Sequence, residues 1–319
     1  MAHKSSDQLS LADGLVHPQI GANEGLRRID GLIDWSALEQ QLSGVRQGEL
    51  GPPTYPALMM FKALLLQQWY QLSDPGLEQA LSDRISFRRF VRLSLEAQTP
   101  DHSTLWRFRQ LLNDGLEQRL FAEINRQLEA KGLLLKQGTL IDATLVQADA
   151  QPPNRQTGRP SADADARWAV NKSRGKRTFG YKAHIAVDQD SDLIRRAKLT
   201  AANVNDTVMA EDLISGDERA VYADMAYDTH ARRAALKARG IRPRIMHRPN
   251  KHHPILPPRF QRHNELIAYL RRPIERFFGL FKRHYGFQRM RYYSLARNQV
   301  RLVLMCTAVN LRRMLVLTG

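Results

Sequence analysis

Glu275 is the single acid in "RRPIERFFGLFKRHYGFQRMR", Arg271 to Arg291, a stretch that holds seven Arg or Lys. A carboxylate placed there has two chemical uses. It can neutralise a neighbour in a surface salt bridge, which is the cheaper explanation. It can also hold a cation that acts on an anion gathered by the surrounding bases. Two other acids bear on the choice. Asp142 interrupts the β-branched run "GTLIDATLVQ", between Ile141 and Ala143, and Asp224 closes the strand pattern "RAVYAD". An acid in such a segment is costly unless something compensates it. Singly, either could be a helix cap or half of a buried ion pair. Together, on strands of one sheet, they point to a shared divalent cation. Mg²⁺ takes oxygen ligands, and two such ions about 3.5–4 Å apart clamp a phosphate under in-line attack. Glu275 is the obvious third carboxylate. On a helix it shares a face with Arg271, Phe278, Gly279 and Lys282, and the small Gly279 permits close approach to a sheet.

The elements that must position these acids are readable from the patterning. At Gly138 the texture changes from helical to extended. "GTLIDATLVQ", "YKAHIAVD" and "LIRRAKLT" read as three strands, "NVNDTVMAEDLIS" as a helix, "RAVYAD" as a strand, "DTHARRAALKARG" as a helix closed by Gly240, and "IRPRIM" as a last short strand. Three strands followed by alternating elements predict a mixed sheet with flanking helices. Long helices are expected over about 264–282 and 294–317. The polar stretch from Ala148 to Thr178 is too long for an ordinary connection, and so is a functional loop or mobile.

Before residue 135 the pattern is all helical. "TYPALMMFKALLLQQWYQLSD" is apolar nearly all round, so it is expected to be buried, with Pro52, Pro53 and Pro56 marking its start. Ser73 or Asp74 is placed to cap the next helix, with Pro75 in its first turn. "PDHSTLWRFRQLL" carries Arg107 and Arg109, and Leu116, Leu120, Phe121, Ile124 and Leu128 form the stripe of a further helix. Short helices with Arg-bearing faces are compatible with a helix-turn-helix DNA reader.

Charge narrows the partner. The chain of 319 residues carries 48 Lys and Arg against 32 Asp and Glu, a formal net charge of +16. From Ile241 to Gly319 there are 17 bases and only two acids, Glu265 and Glu275, so nearly all of the excess lies there. An Arg-rich patch of this kind suits a phosphate backbone, because the guanidinium fork pairs phosphate oxygens bidentately. Nucleic acid is therefore the expected partner. The N-terminus lacks the apolar core of a signal peptide, no apolar run reaches the roughly 20 residues that span a bilayer, and the one cysteine, Cys306, excludes a disulfide framework. These features predict a cytoplasmic protein.

At the acids themselves the chain resembles the DDE transposases of bacterial insertion sequences, in the fourth and fifth insertion-sequence families, with InsH-like members included. "GTLIDATLVQA" is similar to that family's first-aspartate strand, "GYKAHIAVD" to its second strand, and "YADMAYD" to its second-aspartate segment. "RRPIERFFGLFKRHYGF" resembles its glutamate signature, with an Arg four residues before Glu and a Lys seven after. "YPALMMFKALLLQQWYQLSD" and "PDHSTLWRFRQLL" look like the helical module that precedes the catalytic domain. The match covers most of residues 50–315.

The resemblance implies that Asp142, Asp224 and Glu275 are the catalytic, metal-binding triad. It implies an all-helical N-terminal domain over 1–135 that binds DNA ends, and an RNase H-like catalytic domain over 136–319 with basic C-terminal helices. Mg²⁺ is the implied cofactor, as two ions, with Mn²⁺ able to substitute. DNA is the implied partner, as terminal inverted repeats and as target, bound by a homodimer because two ends must be joined. No nucleotide-binding loop is evident, so no ATP is expected, and neither is a membrane.

Arg271, Arg272, Lys282, Arg283, Lys182, Arg107 and Arg109 are the expected DNA contacts. The signature also departs from the family's in two places. Tyr269 fits the Tyr-to-Arg gap only if Arg272 is counted, whereas Arg271 fits the Arg-to-Glu gap. Met225 follows Asp224 where relatives often carry Lys. Two rival readings stay open: an RNase H-like nuclease without strand transfer, and a DNA-binding protein with a non-catalytic triad.

The remaining candidates carry weaker expectations. His184 is expected to be structural or to touch DNA, and Trp168 to pack against the sheet. Asp163, Asp165 and Asp188 are expected to be solvated, and "HRPNKHHP" to be a loop or a phosphate contact.

Overall fold

The computed structural model describes residues 17, 19, 21–45, 55–154, 156–170, 175, 177–249 and 254–319. Pro52, Pro53, Lys251, His252 and His253 lie outside the described residues.

The chain divides into two compact units, residues 1–130 with 303–319, and residues 131–302. The expected division was at 135/136, with everything beyond it in one domain. The difference lies in the last helix, whose C-terminal portion packs with the first helices rather than with the sheet.

The first unit is built on helices α1 (Glu24–Leu32), α2 (Trp35–Leu42), α3 (Ala57–Tyr70), α4 (Asp74–Asp83), α5 (Ile85–Val91), α6 (His102–Leu111) and α7 (Leu116–Ala130). Helix α3 is buried along nearly its whole length, as its uniform apolarity requires. Even Lys62 is 1% exposed, with its Nζ held by Asp30 and by the Phe90 carbonyl. Side chains start the next helices: Ser73 caps α4 through the Gly76 amide, and Asp101 caps α6 through the Thr104 amide. The end of the chain completes this unit. Trp69 Nε1 donates to the Ala308 carbonyl at 2.8 Å, Asn310 to Asn125 at 2.8 Å, and Arg312 to the Trp69 carbonyl at 3.1 Å.

The second unit is organised by one mixed sheet, six-stranded among the described residues. Its strands are β1 (Thr139–Gln147), β2 (Arg167–Val170), β3 (Arg177–Asp188), β4 (Ile194–Ala201), β5 (Ala220–Ala223) and β6 (Arg242–Ile245). Strand β3 runs antiparallel to β1 and to β4, and β5 runs parallel to both β1 and β6. The order β4-β3-β1-β5-β6, antiparallel then parallel, is RNase H-like, as expected. β2 is the strand that sequence patterning missed, lying inside the polar stretch 148–178 and pairing only with the start of β3. Gly180 marks the point where β3 passes from β1 to β2. A Cβ there would lie 2.2 Å from the Val146 carbonyl oxygen and 2.5 Å from the Ala148 amide, so only glycine allows this approach.

The expected helix "NVNDTVMAEDLIS" is instead a 3-10 turn, Asp206–Met209, running into the short α8 (Ala210–Leu213). Helix α9 (His230–Ala238) follows β5, and a buried cluster including Ile141, Ala186, Leu213, Tyr227 and Leu236 fills the space between one sheet face and these helices. Helix α10 (Pro258–His284) packs on β1, β5 and β6, burying Ile267, Ile274, Phe277, Phe278 and Phe281. Pro273 lies inside it, so the bond to the Tyr269 carbonyl cannot form. Helix α11 (Leu295–Leu317) ends the chain. Among the described residues no helix is long and apolar enough to cross a membrane.

Candidate active site

Asp142 lies in β1, one position out of phase with the core residue Ile141. With Thr144 it therefore belongs to the face on which α10 packs, and Thr144 Oγ1 accepts from Lys282 Nζ at 2.8 Å. The parallel ladder between β1 and β5 pairs Thr139 with Val221 and Leu140 with Tyr222. Two residues further along both chains stand Asp142 and Asp224, at the point where that ladder has ended and the two strands part. Clefts outside the carboxyl ends of parallel strands are where open α/β sheets bind ligands. Asp224 opens a 3-10 turn, Met225–Tyr227, and its side chain accepts from the Ala226 amide at 2.8 Å.

Burial, set against the charge of Arg271, pushes the Asp142 carboxyl up to about 6, with Asp224 and Asp206 adding to the rise. Arg271 Nη2 reaches Asp142 Oδ2 at 3.1 Å. Glu275, one turn along α10, is exposed and forms no ion pair among the described residues. Arg271, four residues before it on the helix, is paired with Asp142 instead. The structure brings Asp142, Asp224 and Arg271 together. It does not gather Glu275 with them: among the described residues no three His, Cys, Asp or Glu are grouped closely enough to hold an ion.

The donor set nevertheless suits a hard divalent cation. It is all carboxylate, and the raised Asp142 has a single guanidinium to offset the cost of its charge, a cost that a bound cation would remove.

The expected DNA contacts separate by placement. Arg272 and Arg283 on α10 and Arg107 on α6 are exposed, with Arg272 over the exposed Tyr269 ring at 5.0 Å. The departure in the signature is thus divided between two residues, since Arg272 meets Tyr269 and Arg271 meets Asp142. Arg109 is a correction. It is 2% exposed and bonded to Asp74 and Gln67 inside the helical unit, because its position on α6 faces α4 rather than solvent. Lys182 is also corrected from a free phosphate contact. Its Nζ pairs with Asp206 at 2.8 Å and donates to the Val204 carbonyl at 2.7 Å.

Three further expectations change. Asp163 and Asp188 are buried, not solvated. Asp163 accepts the Tyr181 hydroxyl at 2.6 Å, and Asp188 accepts the Lys136 amide at 2.8 Å. Trp168 on β2 is 42% exposed, lying between Phe179 and Arg177 rather than in the core. His184, by contrast, matches the structural alternative: it is fully buried and bonded to Thr200 at 2.9 Å.

Sequence reading singles out neither Asp206 nor Tyr227. Asp206 stands in "NVND", just after β4, and Tyr227 stands three residues after Asp224 in "YADMAYD". Their distance from Asp142 along the chain hides them, although both end in turns that flank the strand ends.

An RNase H-like sheet with paired carboxylates where its parallel strands part, preceded by a helical unit, defines a nucleic-acid-processing enzyme of the DDE class. Residues 134–311 match the family described as "Transposase DDE domain", and residues 16–111 match "Transposase domain (DUF772)". The chain belongs to the DDE transposases of insertion-sequence type, DNA-cleaving and strand-transferring enzymes that depend on a divalent metal. Among solved structures it is similar to a piggyBac transposase determined by cryo-EM as a synaptic complex with hairpin DNA. That likeness has 11% identity and a TM-score of 0.44, over 89% of this chain and 71% of that one.

Proposed function

We propose that Asp142, Asp224 and Glu275 are the metal-binding carboxylates of this transposase. The observation that carries the assignment is the placement of Asp142 and Asp224 just past the end of the β1–β5 ladder, with α10 packed on both strands and its Glu275 in no ion pair among the described residues. Two Mg²⁺ ions, replaceable by Mn²⁺, would supply the activated water and then the activated 3′-hydroxyl for in-line attack at phosphorus. Asp142 and Asp224 contribute oxygens fixed by the sheet, and Glu275 contributes a third from α10. Arg271 keeps Asp142 ionised, while exposed Arg272 and Arg283 draw the phosphate backbone onto the same helix. Arg107 on the helical unit contacts the inverted-repeat DNA. The functional species is a homodimer on two DNA ends, in the bacterial cytoplasm, and membership among InsH-like elements is part of the same reading.

Glu275→Gln tests the assignment on labelled DNA carrying the element's ends, with Mg²⁺ or with EDTA. Nicking and joining are expected to vanish while DNA binding persists. Cleavage that survives the substitution would remove Glu275 from the site. Joined products also separate a transposase from a nuclease that only cuts.

A further inference from the structure

We propose that Tyr227 is a positioning residue of the cation site, its hydroxyl donating the hydrogen bond that orients a carboxylate of the Asp142–Asp224 pair when a divalent cation is bound. The proposal rests on the assignment of those two aspartates made above.

Tyr227 is fully buried, and its ring packs in the cluster that contains Ile141 and Ala223, the chain neighbours of Asp142 and Asp224. Its hydroxyl is buried and meets no hydrogen-bond partner among the described residues. Burying a hydroxyl unpaired is costly, and phenylalanine would fill the same space without that cost. Packing therefore accounts for the ring and leaves the oxygen unexplained. The hydroxyl belongs to the turn that Asp224 opens. Burial raises the phenol's pKa first, and the charges of nearby Asp142, Asp206 and Asp224 raise it further, with Arg271 opposing them. A phenol faced by carboxylates can only donate.

The turn that carries this hydroxyl is built to hold it still. The Tyr227 amide donates to the Asp224 carbonyl at 3.2 Å, so the two residues share one turn. Arg232, itself buried, donates Nη1 to the Tyr227 carbonyl at 2.6 Å and Nη2 to the Thr207 carbonyl at 2.7 Å, and its Nε to Glu211 at 2.9 Å. The Thr207 hydroxyl in turn donates to the Ala226 carbonyl. The turn bearing Tyr227 is thus locked to the turn bearing Asp206. Ligating carboxylates elsewhere are held by such outer hydrogen bonds, whose loss typically costs 10–100-fold in metal affinity.

The test compares full-length wild type, Tyr227→Phe and Asp142→Asn by calorimetric titration with Mn²⁺ and by thermal unfolding in EDTA. Tyr227→Phe is expected to unfold in EDTA at or above the wild-type midpoint, since it deletes only an unpaired group, and to bind Mn²⁺ about tenfold more weakly. Asp142→Asn is expected to lose most of the binding. Wild-type Mn²⁺ affinity in Tyr227→Phe, with binding lost in Asp142→Asn, would overturn the positioning role and leave the ligand assignment standing. A lowered EDTA midpoint in Tyr227→Phe would also overturn it, by showing that the hydroxyl serves the fold. Unchanged binding in both variants would remove the ligand assignment and the Tyr227 role together.

Discussion

Asp142 and Asp224 each stand two residues beyond the last pair of one parallel ladder. The parallel ladder sets Thr139 opposite Val221 and Leu140 opposite Tyr222, an offset of 82 in both pairs, and the two aspartates are separated by that same offset. The strands are about 4.8 Å apart while paired, so the ladder brings both aspartates to the same end of the sheet before the strands part. Arg271 then meets the inner of the two from α10 at 3.1 Å.

Removing Arg271 strips Asp142 of its one counter-charge. In EDTA at pH 8, Arg271→Gln is expected to lower stability by about 1–3 kcal/mol, because a largely buried carboxylate loses its partner. Added Mg²⁺ should raise the unfolding midpoint of the variant more than that of wild type. Denaturant titrations with and without the ion measure both effects.

His184 supplies a pH signature. Burial brings its pKa down from 6.5 to about 4, with Lys182 adding to the depression and Asp206 opposing it. The unfolded chain therefore takes up a proton between about pH 6.5 and pH 4 that the folded chain refuses. This group's contribution is fully present above pH 6.5 and is lost as pH falls toward 4. Relative to His184→Gln, wild type should lose stability across that window, and urea midpoints from pH 4 to pH 8 would show it. A constant difference between the two proteins would mean that His184 titrates normally.

Arg107 and Arg109, two residues apart on α6, should behave oppositely. Arg109→Ala is expected to cost about 3 kcal/mol, since it abandons the Asp74 carboxylate inside the helical unit. Arg107→Ala should leave stability within about 0.5 kcal/mol but reduce the salt slope of DNA binding by about one. Unfolding curves and binding isotherms at several salt concentrations distinguish the two.

Gly180→Ala should damage the sheet without touching any acid. Its Cβ would meet backbone atoms of β1 and of the residue after it, not a flexible side chain, so neither neighbour can give way cheaply. A loss of about 2–4 kcal/mol is expected from overpacking and a disturbed ladder, with a lower unfolding midpoint as the readout.

Much of this was legible beforehand, for identifiable reasons. The strands of the second unit carry strong β-branched or period-2 patterns, and Asp142 and Asp224 stand out because each interrupts or ends one. The segment after β4 has the apolar spacing of one helix, whereas Asn205 caps a 3-10 turn there. β2 stayed hidden because its four residues are mostly exposed and lie within a polar stretch, where no pattern of burial marks them. Side-chain partnership was the hardest to foresee. Asp163 and Asp188 look like loop acids until Tyr181 and the Lys136 amide are placed beside them, and Arg109 looks like a surface base until Asp74 is.

Residues 303–319 belong with the first helices, not with the sheet-bearing unit that precedes them in sequence. The order of synthesis thus differs from the order of completion. On a ribosome, the whole sheet and α10 have been made before the segment carrying Ala308, Asn310 and Arg312 exists to meet Trp69 and Asn125. The helical unit, begun first, is finished last, and a nascent chain cannot complete it ahead of the sheet.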